Sequence, residues 1–230
     1  MTMISIDALD GSGRFEAYCA RPQGEARGAI MVIQEIFGVN PGIRRKCDRL
    51  AADGWLALAP DLFWRLEPGI VLDPDVPEQF QAALQWMGKF DQTKGIEDIE
   101  ATIRTARELG AAKVGAVGYC LGGRLAYMTA ARTDVDASVG YYAVGIDGLL
   151  GEKHAIANPL LLHIAGADHF VLPDVQAKMH EGLDDHPKVT LHTYPGEDHG
   201  FATEMGKRRS PEAAELADAR TAAFFAETLA

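Results

Sequence analysis

The stretch Gly118-Tyr119-Cys120-Leu121-Gly122-Gly123 constrains this chain more than any other. An apolar run, Lys113–Val117, leads into it, and a helix-forming run, Arg124–Ala131, leads out. Strand, abrupt turn and helix is the reading that satisfies both flanks. The glycines two residues either side of Cys120 fit a turn so tight that a Cβ there would strike backbone. The pattern is the G-x-S-x-G nucleophile elbow, with sulfur in place of the hydroxyl. It puts Cys120 at a helix N-terminus, where unpaired amides and the helix dipole favour a thiolate and can hold an oxyanion. A lone cysteine is ordinarily a small buried apolar residue. Cys19, inside the run Phe15–Ala20, and Cys47, on a predicted helix, are read that way.

The rest of the chain alternates apolar runs with helical patterns. Strands are predicted at Ile4–Leu9, Phe15–Ala20, Gly28–Gln34, Leu56–Ala59, Lys113–Tyr119, Ala137–Tyr142, Leu160–Ala165 and Val189–Tyr194. The first two form an antiparallel hairpin through Asp10-Gly11-Ser12-Gly13. The later ones are short, apolar and separated by helices, as in a buried parallel sheet with crossovers. Helices are predicted at Gly42–Asp53, Val76–Lys89, Ile96–Leu109, Leu121–Thr133, Pro173–Leu183 and Pro211–Thr228, the last with Ser210 as N-cap. The fold class is therefore α/β: a mostly parallel central sheet flanked by helices, with an N-terminal antiparallel hairpin. Residues 63–77, with Trp64, Pro68, Gly69, Pro74 and Pro77, read as an excursion over the top of the sheet that shapes a pocket.

At 230 residues and 47% hydrophobic, the chain suits one domain over 1–230. Three cysteines at unrelated spacings give neither a disulfide framework nor a zinc pattern, and no metal or organic cofactor is expected. The N-terminus lacks the basic and apolar regions of a leader, and no run is long enough to span a bilayer. A cytoplasmic location is the expectation. A net charge of −11 makes nucleic acid and anionic membranes poor partners. The clusters Arg44–Lys46 and Lys207–Arg209 are read as solvated helix ends or loops.

A cysteine at an elbow needs a base, and the base an orienting carboxylate. Of seven histidines, His199 fits best, in a loop after a strand at the predicted C-terminal edge of the sheet, where ligands bind. His163 and His192 lie within strand patterns and read as structural. Asp168 also follows a strand end and a Gly turn. The order Cys120, Asp168, His199 is that of α/β-hydrolase triads. Oxyanion donors would be the amides of Leu121, after the nucleophile, and Ile36, in the loop after the Gly28–Gln34 strand.

The chain resembles the dienelactone hydrolase family of the α/β-hydrolase superfamily. The resemblance is carried by Gln34–Asn40, Ala59–Phe63, Gly118–Gly123, Val139–Tyr142, Gly166–Phe170 and Asp198–Phe201, in the family's order. It implies an α/β-hydrolase fold and a hydrolase of esters or lactones with Cys120 as nucleophile, His199 as base and Asp168 as orienter. It also implies that Glu35 lies beside the resting thiol and helps to deprotonate it when substrate arrives. A nearby anion disfavours the thiolate until then, protecting it from oxidation.

The resemblance extends to the pocket, and there the chain departs from it. Family members acting on dienelactone hold the substrate carboxylate with arginines. Here those positions read Thr203 and, nearby, Phe80, with Leu84 at a tyrosine position. The expectation is a less cationic pocket that includes Phe37, Phe80, Tyr142 and Thr203, suited to a less charged ester, a bulkier lactone or a thioester. Arg65 or Lys207 would be the replacement cation. The protein would act as a monomer or weak homodimer. The rival reading is a redox sensor or ligand-binding protein on a hydrolase scaffold.

Overall fold

The computed structural model describes residues 2–229. One sheet of eight strands runs through it: β1 (Thr2–Asp7), β2 (Arg14–Ala20), β3 (Ala29–Ile33), β4 (Leu56–Pro60), β5 (Val114–Tyr119), β6 (Ala137–Tyr141), β7 (Leu160–Ala165) and β8 (Val189–Tyr194). The spatial order is β1-β2-β4-β3-β5-β6-β7-β8. β1 and β2 form the expected hairpin, and β2 also runs antiparallel to β4; every later pairing is parallel. The helices are α1 (Pro41–Ala52), α2 (Pro77–Lys89), α3 (Gln92–Glu108), α4 (Leu121–Arg132), α5 (Pro173–Leu183) and α6 (Pro211–Thr228).

The strand sequences explain the layering. In β3 every residue is buried, as expected of a parallel strand covered on both faces. Alternate side chains serve different cores. Met31 and Ile33 join Ile99 and Ile103 of α3 and Leu125 of α4. Ile30 and Val32 join Ile43 and Cys47 of α1 and Phe225 of α6. Cys19 and Cys47 are fully buried, as read, and burial pushes the Cys47 thiol above its usual range.

Several expectations are corrected. Helix α3 starts one turn early because Asp91 caps it, its side chain accepting from the amides of Thr93 and Lys94. A 3₁₀ segment, Asp147–Ala155, adds to the expected elements. Ser210 is the N-cap of α6 by position only: its hydroxyl donates to Glu197 Oε1 (3.0 Å) and caps nothing. Lys46 is not a solvated charge. Its side chain is 7% exposed and paired with Asp218 (3.3 Å) and Glu204 (3.5 Å). Arg65 is not free to serve a pocket. It forks onto the fully buried Asp98 of α3 (2.7 and 2.9 Å) and reaches Asp10 of the hairpin turn (3.1 Å). With Trp64 Nε1 donating to the same Asp98 (2.8 Å), this pins the start of the 63–77 excursion. The excursion then meets the loop after β3: Leu72 N donates to Phe37 O (3.0 Å).

Candidate active site

Cys120 sits at φ 56°, ψ −116°, between the end of β5 and the start of α4. The left-handed backbone is the strained conformation an elbow requires. The flanking glycines permit it by close approach. A Cβ on Gly118 would overlap the carbonyl of Gly122, and one on Gly122 would overlap the carbonyls of Ile33 and Gln34. The second contact matters for chemistry, because it lets α4 abut the end of β3. The loop Glu35-Ile36-Phe37 therefore emerges beside the thiol. Gln34 fixes that loop, accepting from Leu62 N (3.1 Å) while its amide donates to Glu35 O (3.4 Å).

His199 and Asp168 come from loops after β8 and β7, and both are buried. Asp168 Oδ2 meets His199 Nδ1 at 2.8 Å. Its Oδ1 accepts from the amides of Phe170 (2.8 Å) and Val171 (3.2 Å), so the whole carboxylate is committed. The imidazole packs edge-on against the rings of Tyr142 (5.0 Å between centroids) and Phe170 (4.9 Å). Its buried Nε2 meets no nitrogen or oxygen partner, and the group that acts on the ring from that side is the Cys120 sulfur. Burial alone would lower the His199 pKa. The negative charge of Cys120, then the hydrogen bonds to Asp168 and to Cys120 and the charge of Asp168, outweigh it and push the pKa up to about 10. The arrangement thus favours an imidazolium whenever the sulfur is a thiolate.

Glu35 is the second buried acid. Burial raises its pKa, and His199, the Tyr142 hydroxyl, Lys46 and Arg208 pull part of the way back. Tyr142 Oη donates to Glu35 Oε1 at 3.3 Å. This corrects the expectation that Tyr142 lines the pocket. β6 ends one residue earlier than expected, Tyr142 takes a positive φ of 37°, and its ring lies under the site against His199 and Phe201.

Cys120, His199, Glu35, Ile36, Phe37, Phe80 and Thr203 all face one cavity of about 240 Å³. Leu121 is buried beneath it, in the first turn of α4. Leu84, Met87, Val144, Phe170 and Met205 make most of the remaining wall apolar. Arg208 is the guanidinium on the wall and stacks over Phe80 at 5.3 Å. Neither Arg65 nor Lys207 reaches it. In the sequence Arg208 sits in a basic cluster that reads as solvated, and no local signal distinguishes it from Lys207. Phe170 did have a signal, since it closes the turn that begins at Asp168. Among the described residues, Asp168, His169 and Asp198 hold ligating atoms within 4.8 Å of one another. Asp168 is already spent on His199 and two amides, and His169 Nδ1 meets Asp198 at 2.7 Å.

Comparison with known proteins identifies the family. Residues 15–229 match the dienelactone hydrolase family. A protein of Azospirillum brasilense, provisionally named a carboxymethylenebutenolidase, is 48% identical over 231 residues, covering all of both chains. The carboxymethylenebutenolidase of Pseudomonas putida is 39% identical over 225 residues, 97% of this chain and 95% of its own. A solved structure from Klebsiella pneumoniae, provisionally called a dienelactone hydrolase, superposes with a TM-score of 0.82 at 27% identity, covering 98% of this chain and 99% of that one. No described helix is long and apolar enough to cross a membrane. The chain belongs to the dienelactone hydrolase family and is a hydrolase of the α/β-hydrolase fold.

Proposed function

We propose that the protein hydrolyses carboxylic esters or lactones through a Cys120 thioester. The observation that carries this is the buried Asp168–His199 pair, whose imidazole lines the same cavity as a cysteine on a strained elbow and interacts with its sulfur. Cys120 gives its proton to His199 when substrate arrives, with Glu35 on the same cavity wall to assist the transfer. The sulfur attacks the carbonyl carbon, and the amides of Leu121 and Ile36 receive the oxyanion. His199 Nε2 passes its proton to the leaving alkoxide. Water then gives a proton to Nε2 and attacks the thioester, and the sulfur leaves as a thiolate beside the imidazolium. Asp168 holds the tautomer throughout.

The wall supports a substrate with an apolar body. Thr203 and Phe80 line it where the family's resemblance would place arginines, and Arg208 supplies one cation. Neutral esters and bulkier lactones should be turned over faster than an acidic lactone; the reverse order would contradict this reading of the pocket. The relatives' names suggest that carboxymethylenebutenolide is the acidic lactone to include in that panel.

Cys120→Ala should abolish turnover of aryl esters and leave the circular dichroism and melting temperature unchanged. Retained turnover would defeat the assignment of the nucleophile. An acyl-enzyme burst in the wild type supports hydrolysis. Rapid alkylation of Cys120 by iodoacetamide without any turnover would favour a sensor or binder instead.

A further inference from the structure

The loop from His199 to Ser210 carries the imidazole at its start, then supplies Thr203, Met205, Gly206 and Arg208 to the cavity wall. Ser210 N donates to Phe201 O (2.9 Å) at its far end, and Lys207 N donates to Asp75 Oδ1 of the 63–77 excursion (3.2 Å). Thr203 N donates to Gly200 O (3.0 Å), the Thr203 hydroxyl to Met205 O (2.8 Å), and Arg209 to Thr203 O (3.1 Å). Gly206, Lys207 and Arg208 are exposed.

Glu204 does not face the cavity. Its side chain is 13% exposed and lies among cations. Lys46 Nζ is 3.5 Å away, Arg209 Nη1 is also 3.5 Å away, and Arg49 Nη1 is bonded to it directly. The Glu204 backbone carbonyl accepts from Arg45 (3.2 Å). Three residues of α1 thus grip one point of the loop, and Lys46 and Arg49 are themselves braced by Asp218 of α6 (3.3 and 3.2 Å). A lysine this deeply buried stays charged only while its acids remain, so the clamp holds as a unit. His199 is secured separately, by Asp168 and by the rings of Phe170 and Tyr142.

We propose that Glu204 is a positioning residue that sets substrate affinity by holding the Thr203–Arg208 wall, without acting on the triad. The proposal rests on the ester or lactone hydrolase reading above. Loosening the wall loses contacts with the substrate body in ground and transition states alike, which raises KM and spares kcat.

The test compares wild type, Glu204→Gln and Arg49→Met on an aryl acetate and on an aryl ester with a bulky apolar acyl group. Arg49→Met is the gentler variant, because Lys46 keeps both acids. Expected for Glu204→Gln is a KM on the bulky ester raised roughly tenfold, the change produced by about 1.4 kcal/mol of lost binding. Its kcat and the alkylation rate of Cys120 should stay within about twofold of wild type, with a smaller KM rise for the acetate. Arg49→Met should shift KM in the same direction by less. Trypsin, well below the melting temperature, should cut both variants after Lys207 or Arg208 faster than wild type. Unchanged trypsin sensitivity overturns the clamp, whatever the kinetics. Faster cutting with an unchanged KM overturns its role in affinity, as does a parallel fall in kcat and alkylation rate. If the wild type turns over neither ester, the hydrolase reading itself fails and takes the affinity role with it, a result separable from the others because it appears without any substitution.

Discussion

Glu35 is a carboxylate kept where water scarcely reaches it, and that has a thermodynamic signature. Its ordinary pKa is 4.5, and burial raises it in the folded protein. Between those two values the folded state holds a proton that the unfolded chain has released, so stability falls as pH rises through that window. The penalty is complete above the folded value and absent below about 4.5. Glu35→Gln should therefore raise the melting temperature near pH 8, by about 2–4 °C for each kcal/mol relieved. The gain should shrink as pH is lowered toward about 4.5. Thermal melts across that range decide it, and an equal gain at both ends would contradict the argument. The same variant should slow ester turnover, as follows from the proposed assistance of Glu35 to the thiol. His199 runs the other way while the sulfur is a thiolate: its pKa is then raised, first by the Cys120 charge, so the stability it contributes is full below its usual 6.5 and is lost as pH rises through about 10.

At the scale of elements, the close contact of β3, β5 and the start of α4 holds the site together. Gly122 is where it is tightest. Gly122→Ala would drive a methyl into the carbonyls of Ile33 and Gln34, so α4 must retreat from β3 or the turn must open. We expect a loss of more than about 3 kcal/mol in urea denaturation, at the diagnostic end of single substitutions. Turnover should fall as well, because the Ile36 loop loses its place beside Cys120. Gly88 is the contrast. It lies exposed near the end of α2 with nothing within 4 Å of an added Cβ. Gly88→Ala should stabilise the protein by up to about 1 kcal/mol through helix propensity alone. Near-neutral behaviour at Gly122 would mean that the elbow is looser than its contacts imply.

Over the whole molecule, the sheet is continuous from β1 to β8 and both faces of its inner parallel strands are covered. The excursion after β4 is tied to the hairpin turn and to α3 through Arg65, so no part of the described chain hangs on a single linker. A chain organised in this way should unfold as one unit. Calorimetry should give a single transition with a heat-capacity increment of about 3 kcal/mol/K for this length. Two resolved transitions would contradict the one-domain reading.

The chain's own order of residues determined the elbow, the eight strands and the triad candidates. Each is written in neighbouring positions: a glycine spacing, an apolar period, or a short polar turn after a strand. Lys46, Arg208 and Tyr142 were misplaced for the opposite reason. Nothing adjacent to Lys46 says that Glu204 and Asp218, more than 150 residues downstream, will bury it. Arg208 and Lys207 are neighbours of like charge, yet only Arg208 reaches the cavity, in a loop that meets α1 and Asp75, both far from it in sequence. Tyr142 follows the strand pattern to its end, and only the backbone turn after β6 sends its ring beneath the site. Local periodicity decides which elements form. Contacts between distant segments decide which side chains they bring together, since the energy of those contacts belongs to no stretch of chain taken alone.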